Sequence, residues 1–380
     1  MFANRIHSMG TSIFTLMSKL AIEHNAINLG QGFPDFDGPS WIFDEAFKVM
    51  TEGKNQYAPM PGILTFRKKL AQNYKHYYDI DIDHDNGVCV TAGATEALFS
   101  SISAFINPGD EVILFEPAYD AYPADILLSG GIPKYVTLRK PDFGFDFNDL
   151  DNALTSKTKA IIINNPHNPT GKVYTRGELE EISKFAIKNN LIVISDEVYE
   201  FLTYDDAIHI PIASLPGMYD RTITISSTGK TFSLTGWKIG YAVGKPELIE
   251  AIKKIHQWTT FAVNTPGQHA MAFAFTKLDE YLPDFKKMYL GKRNLMLKRL
   301  EDSSFVAHKP LGSYFIMVDI PKDIKDDDLA MRLVKDYQVA TVPTQGFYGK
   351  SREGETMLRL CFAKTDETIM QGIENLKKYV

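Results

Sequence analysis

The chain has 380 residues, 44% of them hydrophobic and 23% charged, with a formal net charge of −6. A chain this long exceeds one comfortable core, so a large domain plus a smaller one is expected, and the acidic balance excludes a basic nucleic-acid or anionic-membrane surface in favour of a small-molecule partner. The two cysteines, Cys89 and Cys361, lie far apart and give neither a disulfide framework nor the paired spacing of a zinc site, so a reducing cytoplasm is the simplest compartment.

In chain order, residues 1–21 mix Asn4, Arg5, His7 and Ser8 with scattered apolar side chains and lack the unbroken apolar core of a signal peptide. No stretch approaches the roughly 20 apolar residues that span a bilayer. From about residue 57 to 244 short apolar runs alternate with helical patterns, which predicts a parallel sheet covered by helices. The strand candidates are 88–91, 111–115, 133–138, 160–164, 191–195, 222–226 and 237–243. After Ala94, the positions Leu98, Ile102, Phe105 and Ile106 share one helical face, and Asn107-Pro108-Gly109-Asp110 ends that helix. Beyond about residue 275 the pattern becomes a long helix with a basic polar face over 289–300, a strand pair near 312–318 and 357–362, and a closing helix, which reads as a smaller α+β domain.

Two nucleotide signatures fail on inspection. Gly229-Lys230-Thr231 resembles the end of a phosphate-binding P-loop, but Thr224 stands where that motif needs glycine; Gly30-Gln31-Gly32 starts like a dinucleotide fingerprint, but Asp35 occupies the place of its third glycine. Four other segments fall at the C-terminal ends of predicted strands, where open α/β sheets place ligands. They contain Gly93-Ala94-Thr95, Asn168-Pro169-Thr170-Gly171, Ser195-Asp196-Glu197-Val198-Tyr199 and Ser227-Thr228-Gly229-Lys230-Thr231. Taken singly, each has an ordinary explanation: a helix entry, a loop of turn residues, a helix cap, a surface lysine.

Together they suit one ligand. Small residues opening a helix let backbone N–H groups approach a phosphate, and Ser227 and Lys238 could add a hydroxyl and a positive charge to it. A lysine held at the sheet edge loses its proton more readily and can form an imine with an aldehyde. Asp196, ending a hydrophobic strand, needs a cationic partner, and a protonated pyridine nitrogen is one. The ligand these pieces describe is pyridoxal 5′-phosphate (PLP).

With Gly236-Trp237-Lys238-Ile239-Gly240 added, these motifs resemble the fold-type I, class I/II aminotransferases over essentially the whole chain. The segments 29–36 and 55–59 are similar to the kynurenine and glutamine transaminase group. Gly38-Pro39, 90–98 and Val263-Asn264-Thr265-Pro266 look like bacterial methionine aminotransferases. The resemblance implies an α/β fold, with a mostly parallel seven-stranded sheet between helices in a large domain (45–280), a smaller C-terminal α+β domain (281–380), and an N-terminal arm (1–44) that completes the small domain. It implies a homodimer with shared active sites, acting on an L-amino acid and a 2-oxo acid.

Residue by residue, the resemblance makes Lys230 the Schiff-base lysine and the base that moves the substrate proton, and sets Asp196 against the pyridine nitrogen. Asn168 and Tyr199 would bind the ring hydroxyl, and Tyr119 would stack on the ring. Gly93, Ala94, Thr95, Ser227 and Lys238 would hold the phosphate, helped by Tyr57 from a second subunit. Arg359 would clamp the substrate carboxylate with Gly32 leaving room and Asn168 alongside, although read alone it suits a strand arginine paired to a neighbouring acid. Phe14, Phe261 and Phe315 match positions lining the side-chain pocket. Phe14 stands where kynurenine enzymes have tryptophan and Ala262 where a histidine is found nearby, which favours methionine, with aromatic amino acids or glutamine next, over kynurenine. A kynurenine–oxoglutarate transaminase and a PLP-dependent C–S β-lyase are the alternative activities.

Overall fold

The coordinates are a computed structural model that describes residues 3–6, 10 and 12–379. His7 and Ser8, read above as part of a polar N-terminus, lie outside those residues. Among the described residues no helix is long and apolar enough to cross a membrane.

After an opening helix, Ile13–Glu23, a short strand β1 (Ile27–Asn28) precedes the main sheet. That sheet is built from β2 (Val88–Ala92), β3 (Glu111–Glu116), β4 (Ile132–Thr137), β5 (Thr158–Asn164), β6 (Ile192–Asp196), β7 (Thr222–Ser227) and β8 (Ile239–Gly244). Its order is β2-β8-β7-β6-β5-β3-β4, and only β8 runs antiparallel to its neighbours. The sign of β8 follows from its connection. Between Ser227 and Ile239 the chain makes one helical turn (Thr228–Thr231) and one 3-10 turn (Thr235–Trp237), too little for the crossover a parallel strand requires.

Alternate residues of the central strands feed two cores on opposite faces of the sheet. Ile113, Phe115, Ile161, Ile163 and Val193 enter one, while Val112, Leu114, Ala160, Ile162 and Ile194 enter the other. Burial on both faces explains why these strands read as unbroken apolar runs rather than as alternating patterns.

The second sheet, β12-β13-β10-β9, is antiparallel and uses β9 (Val306–His308), β10 (Phe315–Asp319), β12 (Val342–Pro343) and β13 (Met357–Cys361). Between them lies β11 (Val339–Ala340), which pairs in parallel with β1 and so ties the start of the chain to its C-terminal part. The glutamate at 116, which ends β3, fastens the main sheet to the segment that connects β12 to β13. Its buried carboxylate accepts from the Thr137 hydroxyl at 2.7 Å and from the backbone N–H groups of Gly349, Lys350 and Ser351 at 2.7, 2.9 and 2.9 Å.

Two sequence expectations need correction. The strand expected over 237–243 starts only at Ile239, because Lys238 adopts a left-handed conformation (φ 53°) that ends the 3-10 turn and breaks the pleat. The long helix expected beyond about residue 275 runs from Leu278 to Leu300 and tolerates Pro283 in its second turn, but its polar face differs from expectation. That basic face is not fully solvated. Lys292 and Arg293 are buried, the first donating to the Lys364 carbonyl at 2.6 Å and the second forming a fork on Asp205 at 2.8 and 2.9 Å.

Candidate active site

The C-terminal ends of β2, β3, β5, β6 and β7 open onto one cavity of about 340 Å³. Phe14, Gly32, Gly93, Ala94, Thr95, Tyr119, Asn168, Asp196, Tyr199, Ser227, Lys230, Lys238, Phe315 and Arg359 all border it, so the proposed site residues converge although 345 positions separate the first from the last. Two do not join them. Tyr57 is 84% exposed and packs edge-on against Phe261 at 5.6 Å, outside this cavity, and Phe261 is itself exposed there.

Lys230 sits in the short helix after β7. Its Nζ donates to the Tyr314 hydroxyl at 2.9 Å and to the Gly32 carbonyl at 3.3 Å, and no carboxylate is paired with it among the described residues. The Tyr314 hydroxyl itself donates to the Gly32 carbonyl at 2.6 Å. Burial, which disfavours the ammonium form, brings the Lys230 amine down to about 8, against partial support from Cys361 and Asp196. The neutral amine that a nucleophile must be is therefore far better populated near physiological pH than in an ordinary lysine.

Asp196 ends β6 and is buried. Its Oδ2 accepts from the Tyr122 hydroxyl at 2.6 Å, and its Oδ1 from the Val198 N–H at 3.3 Å. Burial pushes its carboxyl up to about 6 in spite of these donors and of Lys230. Asn164, at the end of β5, braces the same corner: its amide donates to the Asp196 carbonyl at 2.9 Å and accepts from the Asn168 N–H at 2.7 Å. Asn168 and Asp196 are thereby fixed relative to each other through one side chain.

A second polar corner surrounds the first turn of the helix Gly93–Phe105, whose leading N–H groups have no intrahelical partner. Gly93 has φ +74°, and a Cβ there would come within 3.2 Å of Lys238 Nζ. A Cβ on Gly240 would meet Ala94 N at 2.5 Å, so only glycine lets β8 run this close to the helix start. The left-handed turn at Lys238 aims its amine at this corner, where it donates to the Thr95 hydroxyl at 3.2 Å. Ser227 is adjacent, half-buried, on β7. A concentration of donors and positive charge at a helix N-terminus binds anions.

Arg359, on β13, supplies a third corner. It is 1% exposed, and its guanidinium donates from Nη1 to Asn168 Oδ1 at 3.0 Å and from Nη2 to the Gly30 carbonyl at 2.8 Å. The rings of Phe315, Phe14 and Phe347 surround it at 4.1, 4.8 and 5.3 Å. Its Nε has no partner, and none of the ion pairs among the described residues involves it. The ordinary reading of a strand arginine paired to an acid is thus not what the structure contains. Gly32 lies beside it, and a Cβ at Gly32 would press on the Phe315 ring at 2.9 Å.

Sequence reasoning missed Tyr122, Asn164 and Tyr314. Tyr122 follows Tyr119 by one helical turn, and Asn164 was already the last residue of a predicted strand. Both positions were visible, but their partners lie 74 and 32 residues away in the chain. Tyr314 adjoins Phe315 at the entry to β10, and no local pattern marks its contact with Lys230.

The chain belongs to the class I and II aminotransferases, whose family model matches residues 24–376. It is an aminotransferase of a PLP-dependent family. Among its relatives, the kynurenine–oxoglutarate transaminase of Dictyostelium discoideum is 40% identical over 98% of this chain and 94% of its own length. The methionine aminotransferase of Escherichia coli is 38% identical over 99% of this chain and 97% of its own. The N-succinyldiaminopimelate aminotransferase of Mycobacterium tuberculosis, 36% identical, superposes with a TM-score of 0.97 over the full length of both chains. Three different amino donors at nearly equal identity leave the choice of substrate to the residues of the cavity.

Proposed function

We propose that this cavity binds PLP through Lys230 and transfers the amino group of a neutral L-amino acid, methionine foremost, to a 2-oxo acid. The observation that carries this reading is the Lys230 amine, contacted among the described residues by a hydroxyl and a carbonyl but by no carboxylate, and so available as a nucleophile. The three corners fit the cofactor's polar groups. The Gly93–Thr95 turn with Ser227 and Lys238 would take the phosphate, Asp196 would face the pyridine nitrogen, and Asn168 and Tyr199 would reach the ring hydroxyl. Tyr119 would lie against the ring, and the unsatisfied Nε of Arg359 is consistent with a guanidinium that receives a carboxylate.

When bound, PLP supplies an electron sink that stabilises negative charge at the substrate Cα. Lys230 would hold the cofactor and, when free of it, its amine would be the base that takes and returns the substrate's Cα proton. Asp196, as an anion, would face the ring nitrogen and favour its protonated form. Arg359 orients the substrate carboxylate, with Gly32 leaving the approach open. The product oxo acid leaves before the acceptor enters, and the same residues act in reverse order.

Methionine is favoured by the apolar wall. Phe14 and Phe315 line the cavity, whereas the charged groups that border it, Lys230, Lys238, Asp196 and Arg359, are all taken by the cofactor and the α-carboxylate in this reading. The exposed pair Tyr57 and Phe261 suits a face covered by an identical chain, whose Tyr57 would complete the phosphate corner. Residues 45–280 would form the large unit of each protomer, with 281–380 and the arm 1–44 forming the small one.

The test is the absorbance of PLP-loaded protein mixed with L-methionine and no oxo acid. Conversion to the pyridoxamine spectrum with one equivalent of oxo acid released is expected. An unchanged spectrum rejects methionine, and pyruvate with ammonia released from cystathionine, again with no oxo acid added, would favour the β-lyase.

A further inference from the structure

Asp196 terminates a buried strand with no cationic partner among the described residues, yet it is not left to itself. The Tyr122 hydroxyl donates to Oδ2 at 2.6 Å, the shortest hydrogen bond its carboxylate receives among the described residues, with the Val198 N–H at 3.3 Å from Oδ1. Tyr122 is itself rigidly held. It is 3% exposed, its backbone N–H donates to the Tyr119 carbonyl at 3.0 Å, and its ring stands edge-on to Tyr119 at 5.6 Å. One helical turn thus carries both the ring that borders the cavity and the hydroxyl that fixes the acid.

We propose that Tyr122 is a positioning residue for the reaction: it acts through Asp196, holding that carboxylate as an oriented anion against the ring nitrogen of the cofactor. Two consequences distinguish this from a packing role. A phenol whose own proton is held tightly by burial can only donate to Asp196, so it favours the charged acid over the neutral one. Its effect must also shrink sharply once position 196 carries no charge, because a hydrogen bond to an ion is worth more than one to a neutral amide.

The inference rests on the reading of Asp196 given above, and the experiment separates the two. PLP dissociation constants are measured by equilibrium dialysis, and kcat and KM with L-methionine, for the parent, Tyr122→Phe, Asp196→Asn and the double variant. Tyr122→Phe should weaken PLP binding and lower kcat roughly ten- to hundredfold with KM little changed, the range set by one hydrogen bond to a charged group. In the Asp196→Asn background the same substitution should change either quantity by no more than about twofold.

Equal losses in both backgrounds, or parent-like PLP affinity in Tyr122→Phe, would overturn the proposal. A parent chain that binds no PLP would overturn the reading of the site and this inference with it. Should Tyr122→Phe fail to fold, a fluorotyrosine placed at 122 keeps the shape and strengthens the donor. Tighter PLP binding is then expected, and unchanged or weaker binding counts against the proposal.

Discussion

Replacing Arg359 by lysine keeps one positive charge on β13 and removes the planar fork, which makes it the sharpest probe of how substrate is held. The guanidinium already spends Nη1 on Asn168 and Nη2 on the Gly30 carbonyl, and three aromatic rings fix its plane. A carboxylate arriving at the remaining N–H groups would gain charge-assisted hydrogen bonds worth about 1.5–3 kcal/mol each. Lysine recovers part of that as a point charge, so the net loss is about 2–3 kcal/mol, or roughly a 30- to 150-fold fall in kcat/KM for L-methionine. The assay pairs methionine with 3-(methylthio)propylamine, which has the same side chain and no carboxylate. The amine should react equally well with parent and variant. A fall of the same size for both compounds would mean that Arg359 serves the packing of the cavity rather than the carboxylate, and would refute the reasoning.

Three further outcomes are expected. Burial lowers the Lys230 amine from its usual range to about 8, so in the cofactor-free chain the folded state binds fewer protons than the unfolded state above that pH. Its destabilising contribution is full below pH 8 and fades as pH rises toward 10.5. Lys230→Met should therefore raise the melting temperature of the cofactor-free chain at pH 7 but not at pH 10.5, and the parent should take up PLP faster as pH rises through 8. Asp125 is buried with Oδ2 unpartnered and is pushed up to about 7 by burial and by Asp120, the reverse of the usual paired carboxylate. Between its ordinary value and 7 the folded state holds the extra proton, so stability falls as pH rises through that window, and Asp125→Asn should melt higher than the parent at pH 8 but not at pH 4. Gly240→Ala drives a methyl group into the start of the phosphate-corner helix, where overpacking costs about 1–3 kcal/mol. Calorimetry should find that loss and dialysis a weaker hold on PLP; parent-like values in both would show that the close approach of β8 is not needed.

Much of the site was legible because its residues sit at strand ends, where the sequence changes from apolar runs to glycine, serine, asparagine or aspartate. Asp196 after Ile194-Ser195 and Lys230 after Ser226-Ser227 are of this kind, and the central strands declared themselves because both their faces are buried. The direction of β8 was less visible, since it depends on how little chain lies between Ser227 and Ile239. What stayed hidden were contacts between distant segments. The Tyr122 hydroxyl on Asp196, Tyr314 on Lys230 and the Gly349–Ser351 amides on Glu116 join residues 74, 84 and up to 235 positions apart. Nor did the basic residues of the long helix announce that Lys292 and Arg293 turn inward, because their partners, Lys364 and Asp205, come from other elements.

Lys230, one lysine among many, is expected to carry the cofactor, and borohydride reduction of the PLP-loaded protein followed by peptide mass mapping tests this directly. The expected result is one pyridoxyl group per chain on Lys230, and none on that peptide in Lys230→Ala. Stoichiometric label on another lysine, with Lys230 unmodified, would show that Lys230 does not hold the cofactor.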